Sequence, residues 1–189
     1  MSVRLVIFGR QGAGKGTQCA ELSTHYGTPH ISTGDMLRAA VAEGTELGLA
    51  AKAIMDQGGL VPDDIILGVV EQRLASPDVE ASGFLLDGFP RTVAQAEALL
   101  DTVSVDAAID LVVPEDVVRQ RMLERGREDD TPEAIDKRLE LYATETEPVI
   151  GYFAERQLLV SVDGLGTPEQ VTARLVEAID GRLGRPATA

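Results

Sequence analysis

The sequence predicts an α/β fold, a five-stranded parallel sheet with helices on both faces. Three observations point there. Short runs rich in apolar, β-branched and aromatic residues recur along the chain: Val3–Phe8, Pro29–Ser32, Phe84–Leu86, Ala107–Val113 and Leu158–Val162. Helical patterns fill the intervals between them. The first run leads directly into GRQGAGKGTQ, four glycines around a single lysine, and then into a helical pattern.

Taken in order, Lys15–His25 follows the glycine turn and Asp35–Glu43 follows the second strand. Asp63–Leu74 sets Ile65, Ile66, Val69, Val70 and Leu74 at helical spacing. Thr92–Leu100 and Glu115–Arg125 follow the third and fourth strands. Pro132–Phe153 carries Ile135, Leu139 and Tyr142 along one face, and Pro148 is expected to kink or interrupt it. Pro168–Leu183 closes the pattern, and the tail from residue 184 to 189 is expected to be disordered.

Bulk properties exclude several classes. A length of 189 residues suits one domain with a full core. A net charge of −14 argues against a nucleic-acid or anionic-membrane surface, so clustered cations in this chain attract notice. Of the 17 cationic residues only Lys15, Lys52 and Lys137 are lysines. One cysteine, Cys19, excludes an internal disulfide and a cysteine-cluster zinc site. The N-terminal apolar run is too short for a signal peptide, and no stretch is long enough to span a membrane. The expectation is a cytoplasmic enzyme. Cys19 is expected in the core, and His25 and His30 are expected to be structural.

A strand, a glycine-rich turn and a helix start together make an anion site. Backbone N–H groups of the turn converge on phosphate oxygens, and the helix N-terminus adds partial positive charge. Lys15 is then the point charge on the terminal phosphates. The pattern departs from G-x-x-x-x-G-K-[ST], because Gly16 stands after the lysine and Thr17 comes one place late. Without a hydroxyl at that place, Mg²⁺ is expected to be held mostly through water by carboxylates such as Asp87 or Asp35.

Two further segments suggest an acceptor site. In STGDMLR, Ser32, Thr33 and Asp35 are helix-capping types and Arg38 lies one turn inside the helix. In FLLDGFPRTVAQ, a buried strand ends at Asp87, Gly88 turns the chain, and Arg91 and Gln95 follow at i and i+4. An aspartate at the carboxyl end of a parallel strand faces the ligand crevice. Arg119, Arg121, Arg125 and Arg127 crowd one short stretch, and Arg138 follows. Phosphoryl transfer between two anions is mainly a matter of positioning and charge, which arginine's fixed fork suits.

The chain resembles the adenylate kinase family over essentially its whole length. GAGKGTQ, ISTGDMLR, GGLVPDD, LLDGFPRT, the arginines of QRMLERGREDD, and DKRLELY stand in the family's order. The resemblance is to the short bacterial form without a zinc-bearing lid insertion, and it implies a P-loop NTPase fold with a small NMP-binding segment and a short lid. Core residues would be 1–31, 62–123 and 133–183, the NMP segment 32–61, and the lid 124–132. It implies ATP, AMP and ADP as partners, Mg²⁺ with ATP, no zinc, no nucleic acid or membrane, and a monomer.

Residue by residue, the resemblance implies that Gly12, Ala13, Gly14, Lys15, Gly16 and Thr17 wrap the ATP phosphates, with Arg121 and Arg125 on ATP and the Gly166 backbone at its adenine. Thr33, Arg38, Gly59, Leu60 and Val61 would meet AMP, as would Gly88, Phe89, Pro90, Arg91 and Gln95. Arg127 and Arg138 would close over the transferred group, and Lys15, Arg91, Arg125, Arg127 and Arg138 would be the catalytic set. Gln11 departs from the family's usual proline. The implied reaction is reversible transfer from MgATP to AMP, giving two ADP. A UMP/CMP kinase and a non-catalytic ATP-binding switch are the alternatives. Because water competes as acceptor, residues 32–61 and 126–131 are expected to close over the substrates.

Overall fold

The computed structural model describes residues 2–185, the side chains of Leu47 and Asp64 excepted. The expected disordered tail therefore lies, from residue 186 on, outside the described residues. Five parallel strands, β1 (Val3–Phe8), β2 (His30–Ser32), β3 (Gly83–Asp87), β4 (Ala107–Val112) and β5 (Leu159–Asp163), form one sheet in the order β2-β3-β1-β4-β5. The predicted α/β class and strand count hold. Strand ends shift by at most one residue, and β3 runs on to include Asp87.

Alternation along β1 shows how the sheet is buried on both faces. Val3, Leu5 and Ile7 belong to one core with Cys19, Leu22, Val118, Met122 and Leu175. Val6 and Phe8 belong to the other, with Ile31, Phe84, Leu86, Val149 and Phe153. The first core is covered by α1 (Lys15–Tyr26), α7 (Glu115–Arg125) and α10 (Pro168–Leu183). On the other face lie α4 (Asp63–Leu74), α6 (Val93–Thr102) and α9 (Glu147–Glu155). Cys19 is fully buried on α1, as expected.

Several helix bounds depart from the sequence reading. The second helix, α2, runs Thr33–Ala42 and starts earlier because Ser32 caps it, its Oγ accepting from the Asp35 N–H at 3.2 Å. Two helices were not predicted, α3 (Glu46–Asp56) and the short α5 (Pro77–Ser82). A Cβ at Gly48 would lie 2.1 Å from the Ala40 carbonyl oxygen. Gly48 is where α3 packs directly onto α2, so the glycine marks a helix crossing. The long pattern from Pro132 divides into α8 (Pro132–Leu141), a π-helical turn at Tyr142–Thr146, and α9. Pro148 lacks the N–H that would continue the α-ladder, and the Glu147 N–H instead reaches the Tyr142 carbonyl.

Candidate active site

Loops after β1, β2 and β3 meet at the carboxyl edge of the sheet, where open α/β sheets bind ligands. The first of these loops ends at Gly14, whose φ of 98° puts it in the left-handed region, and α1 starts at Lys15. No atom lies within 4 Å of a Cβ placed at Gly14 or Gly16, so both open onto the space in front of the loop. Lys15 Nζ donates to the carbonyls of Gly9 at 2.7 Å and Arg10 at 3.2 Å. Burial lowers the Lys15 pKa; Asp87 opposes that shift, while Arg91 and Arg125 add to it.

In front of the loop lies a cavity of about 460 Å³. Lys15, Arg91, Arg121, Arg125, Arg127 and Arg138 all line it, as do Gly12, Gly14, Gly16 and Thr17. Asp35, Asp87, Phe89 and Pro90 complete this part of the wall. A second cavity of about 70 Å³ holds Thr33, Gly59, Val61 and Gln95 in its wall. Arg38, Arg91, Arg138, Leu60 and Gly88 line both. Ala13 and Gly166 line neither; Ala13 is buried, its carbonyl accepting from Arg121 at 3.4 Å. Arg119 also turns away, pairing on the surface with Asp136 and, at 3.8 Å, with Glu115. The arginine cluster of α7 thus sends Arg121 and Arg125 inward and leaves Arg119 in solvent.

Gly88 lets two acceptor-side residues converge. Its φ is 83°, and a Cβ there would lie 2.7 Å from Thr33 Oγ1 and 3.2 Å from the Arg91 guanidinium. Thr33 is buried and its hydroxyl donates to the Asp87 carbonyl at 3.3 Å. Arg91 Nε donates to the Gly88 carbonyl at 2.7 Å. Gln95 is fixed at both ends: its Oε1 accepts from the Arg91 N–H at 2.7 Å and its Nε2 donates to Asp63 at 2.5 Å.

Sequence reasoning missed two carboxylates here. Asp130 takes a two-pronged contact from Arg125, at 2.9 and 2.8 Å, and accepts from Arg138 at 3.1 Å. Asp129 holds the other arm of Arg138, which also reaches the Met55 carbonyl at 3.2 Å. Both acids stand in REDD, but spacing alone does not say that Asp130 faces Arg125 before it or that both acids face Arg138 after it. These acids do not relieve the whole cluster. Burial, then the charges of Arg138 and Arg38, depress the Arg91 pKa, and burial with Arg125 and Arg38 depresses Arg127. A cavity walled by mutually repelling cations is built for a polyanion.

Burial alone would raise the Asp130 pKa, but the Arg125 hydrogen bonds and charge, with Arg138, hold it below the ordinary carboxylate range. A lowered folded-state value contributes stability that is complete above the ordinary value of about 4 and is lost as the pH falls below it through the folded value. Asp130→Asn is therefore expected to lower Tm at neutral pH, with about 2–4 °C for each kcal/mol lost in a chain of this size. The gap to the parent should close on acidification below pH ~4. Thermal melts across that range check this, and a gap that persists unchanged in acid would mean that the Asp130 charge does not hold the arginines.

The family model described as adenylate kinase matches residues 7–158. The adenylate kinase of Stenotrophomonas maltophilia strain R551-3 is 49% identical over 190 aligned positions, covering 95% of this chain and 100% of the relative. That of Xanthomonas campestris pv. campestris strain 8004 is 48% identical over 186 positions, covering 94% and 99%.

Proposed function

The chain belongs to the adenylate kinase family, a phosphotransferase acting between ATP and AMP, and from that premise we propose how its residues divide the work. One observation carries the assignment. Two abutting cavities, one at the glycine loop and one at Thr33 and Gln95, share Arg38, Arg91 and Arg138 in their walls. In this reading the larger cavity takes the ATP phosphates and the smaller takes AMP. The shared arginines then stand where the phosphoryl group passes from one to the other.

Gly12, Gly14, Gly16 and Thr17 offer backbone and hydroxyl donors to ATP, and Lys15 leaves its loop carbonyls to follow the terminal phosphates. Arg121 and Arg125 hold ATP from α7. Arg38 and Arg91 hold the AMP phosphate, while Thr33, Gln95 and the backbone at 59–61 select its base. Arg127 and Arg138 meet the charge that spreads over the phosphoryl oxygens in the transition state. No general base is required by this chemistry. Asp129 and Asp130 act as positioning residues, fixing the forks of Arg125 and Arg138. Segments 32–61 and 126–131 exclude water by closing.

Adenylate kinases work with Mg²⁺ and ATP, and the ion neutralises phosphate charge. Asp87 fits a role in holding its waters. The side chain is only 13% exposed, faces the cavity, and is kept ionised: burial opposes ionisation, but the neighbouring His30 ring, Lys15 and Arg91 outweigh it. Asp35 fits less well, since Arg38 engages it at 2.5 Å. Among the described residues no helix is long and apolar enough to cross a membrane. A monomer at work in the cytoplasm is part of the proposal, and sedimentation would check the first half.

The test combines acceptors with one substitution. The parent, given MgATP and AMP, dAMP, CMP, UMP or GMP, is expected to form ADP rapidly only with the adenine acceptors. Thr33→Ala is expected to narrow the preference for AMP over CMP and UMP by about tenfold, the scale of one lost polar contact. Unchanged selectivity would leave Thr33 as a structural link to the Asp87 carbonyl, and faster turnover of CMP by the parent would overturn the acceptor assignment.

A further inference from the structure

Behind the phosphate loop, Asp87 meets two side chains that the transfer reaction does not use. Register between β2 and β3 pairs His30 with Leu85 and Ser32 with Asp87, so His30 and Asp87 share one face of the sheet. Cys19, on the second turn of α1, packs over that face with Leu85 and Ile7. As a result the Cys19 Sγ, a His30 ring nitrogen and an Asp87 oxygen all lie within 4.8 Å of one another. His30 Nε2 is buried without a hydrogen-bond partner, 3.5 Å from Asp87 Oδ2. A buried ring nitrogen that faces a carboxylate without a well-formed hydrogen bond is a group that a ligand set between them would satisfy.

We propose that Cys19, His30 and Asp87 form a binding site for a soft divalent cation of the zinc class, and that its occupation shuts down phosphoryl transfer. Thiolate, imidazole and carboxylate are the zinc donor set, and hard ions such as Mg²⁺ do not take thiolate. At bond lengths of roughly 2.0–2.3 Å, tetrahedral donors stand roughly 3.3–3.8 Å apart, so small side-chain movements close the present spacing. Three protein ligands leave the fourth position to water. Entry is past Asp87, which lines the large cavity, since Cys19 itself is fully buried. Binding releases the thiol proton to solvent and forms the sulfur–metal bond, with no change of oxidation state.

Occupation has a direct consequence for the reaction. Asp87 lines the large cavity in front of the loop. With a cation on it, the carboxylate is no longer free to face Mg²⁺ waters. The inhibitory part rests on the function proposed above; the binding part does not.

The test begins with the full chain free of nucleotide, titrated with Co²⁺ as a spectroscopic stand-in and then with Zn²⁺. One equivalent should bind, with a near-ultraviolet sulfur-to-cobalt charge-transfer band that Zn²⁺ abolishes. Cys19→Ala should lose the band, and His30→Gln should weaken binding by about tenfold or more. His30→Gln keeps the proposal testable if the buried cysteine variant does not fold. A folded parent without the band, or His30→Gln binding as tightly as the parent, overturns the site. In the second arm, buffered free Zn²⁺ in excess Mg²⁺ should lower the parent's rate by about tenfold or more, reversibly with a chelator. Cys19→Ala should retain most of its rate. Binding without inhibition overturns the regulatory half alone, whereas a metal-free parent inactive with every acceptor overturns the function and leaves the site standing.

Discussion

Lys15→Met is expected to give a folded protein whose turnover is lower by on the order of 10²–10³-fold or more, the scale for removing one preorganised donor to developing charge. The side chain has two states in this argument. Without nucleotide its ammonium lies back on the carbonyls of Gly9 and Arg10, inside the loop that starts α1. With nucleotide it must exchange those neutral partners for phosphate oxygens, a charge-assisted contact worth more than what it gives up. Methionine has similar length and no charge, so the loop keeps its shape while the exchange disappears. Circular dichroism and Tm should stay close to the parent, and single-turnover kinetics should show the loss in the chemical step. Near-parental rates would break the account of the loop, because neither Lys52 nor Lys137 lines the cavity in front of it.

Arg138→Ala is expected to cost a comparable factor, on the order of 10²–10³ in kcat. Arg138 is only 11% exposed and lines both cavities. It is held by Asp129, Asp130 and the Met55 carbonyl, so it ties the loop before α8, α8 itself and the end of α3 into one unit. Both a catalytic contact and a brace are lost on truncation, and Arg138→Lys separates them. Lysine restores the charge but not the planar fork, so it should recover part of the stability and little of the rate. If alanine lowers Tm while kcat falls less than about tenfold, Arg138 is a brace and the transition-state contact belongs to Arg127 and Arg125.

The glycine loop was legible because strand, turn, lysine and helix are contiguous, and each residue type there has one physical use. The sheet was legible because its strands are short apolar runs set between helical patterns. What stayed hidden depends on contacts between distant residues. Helix α3 packs on α2 at Gly48, which lets Ala40 approach, and that use shows only once the two helices are side by side. Arg119 was counted with the cluster because sequence spacing does not show which side of α7 faces the loop. Asp129 and Asp130 were visible as acids, but their partner Arg138 belongs to another helix. Cys19 read as buried core, as it is; its meeting with His30 and Asp87 needs α1, β2 and β3 side by side.

The π-helical turn at Tyr142–Thr146 holds one residue more than α-geometry would place there, and the wider turn absorbs it. It presents Tyr142 and Thr146 to the large cavity, and the Thr146 hydroxyl donates to the Arg91 carbonyl at 3.2 Å. An extra residue kept in α-geometry would instead turn everything downstream by about 100° around the helix axis and take Val149 and Phe153 out of the core. A single deletion inside 142–146 therefore restores an ordinary α-turn and spares the core, so its cost should fall on the cavity wall and on activity rather than on folding.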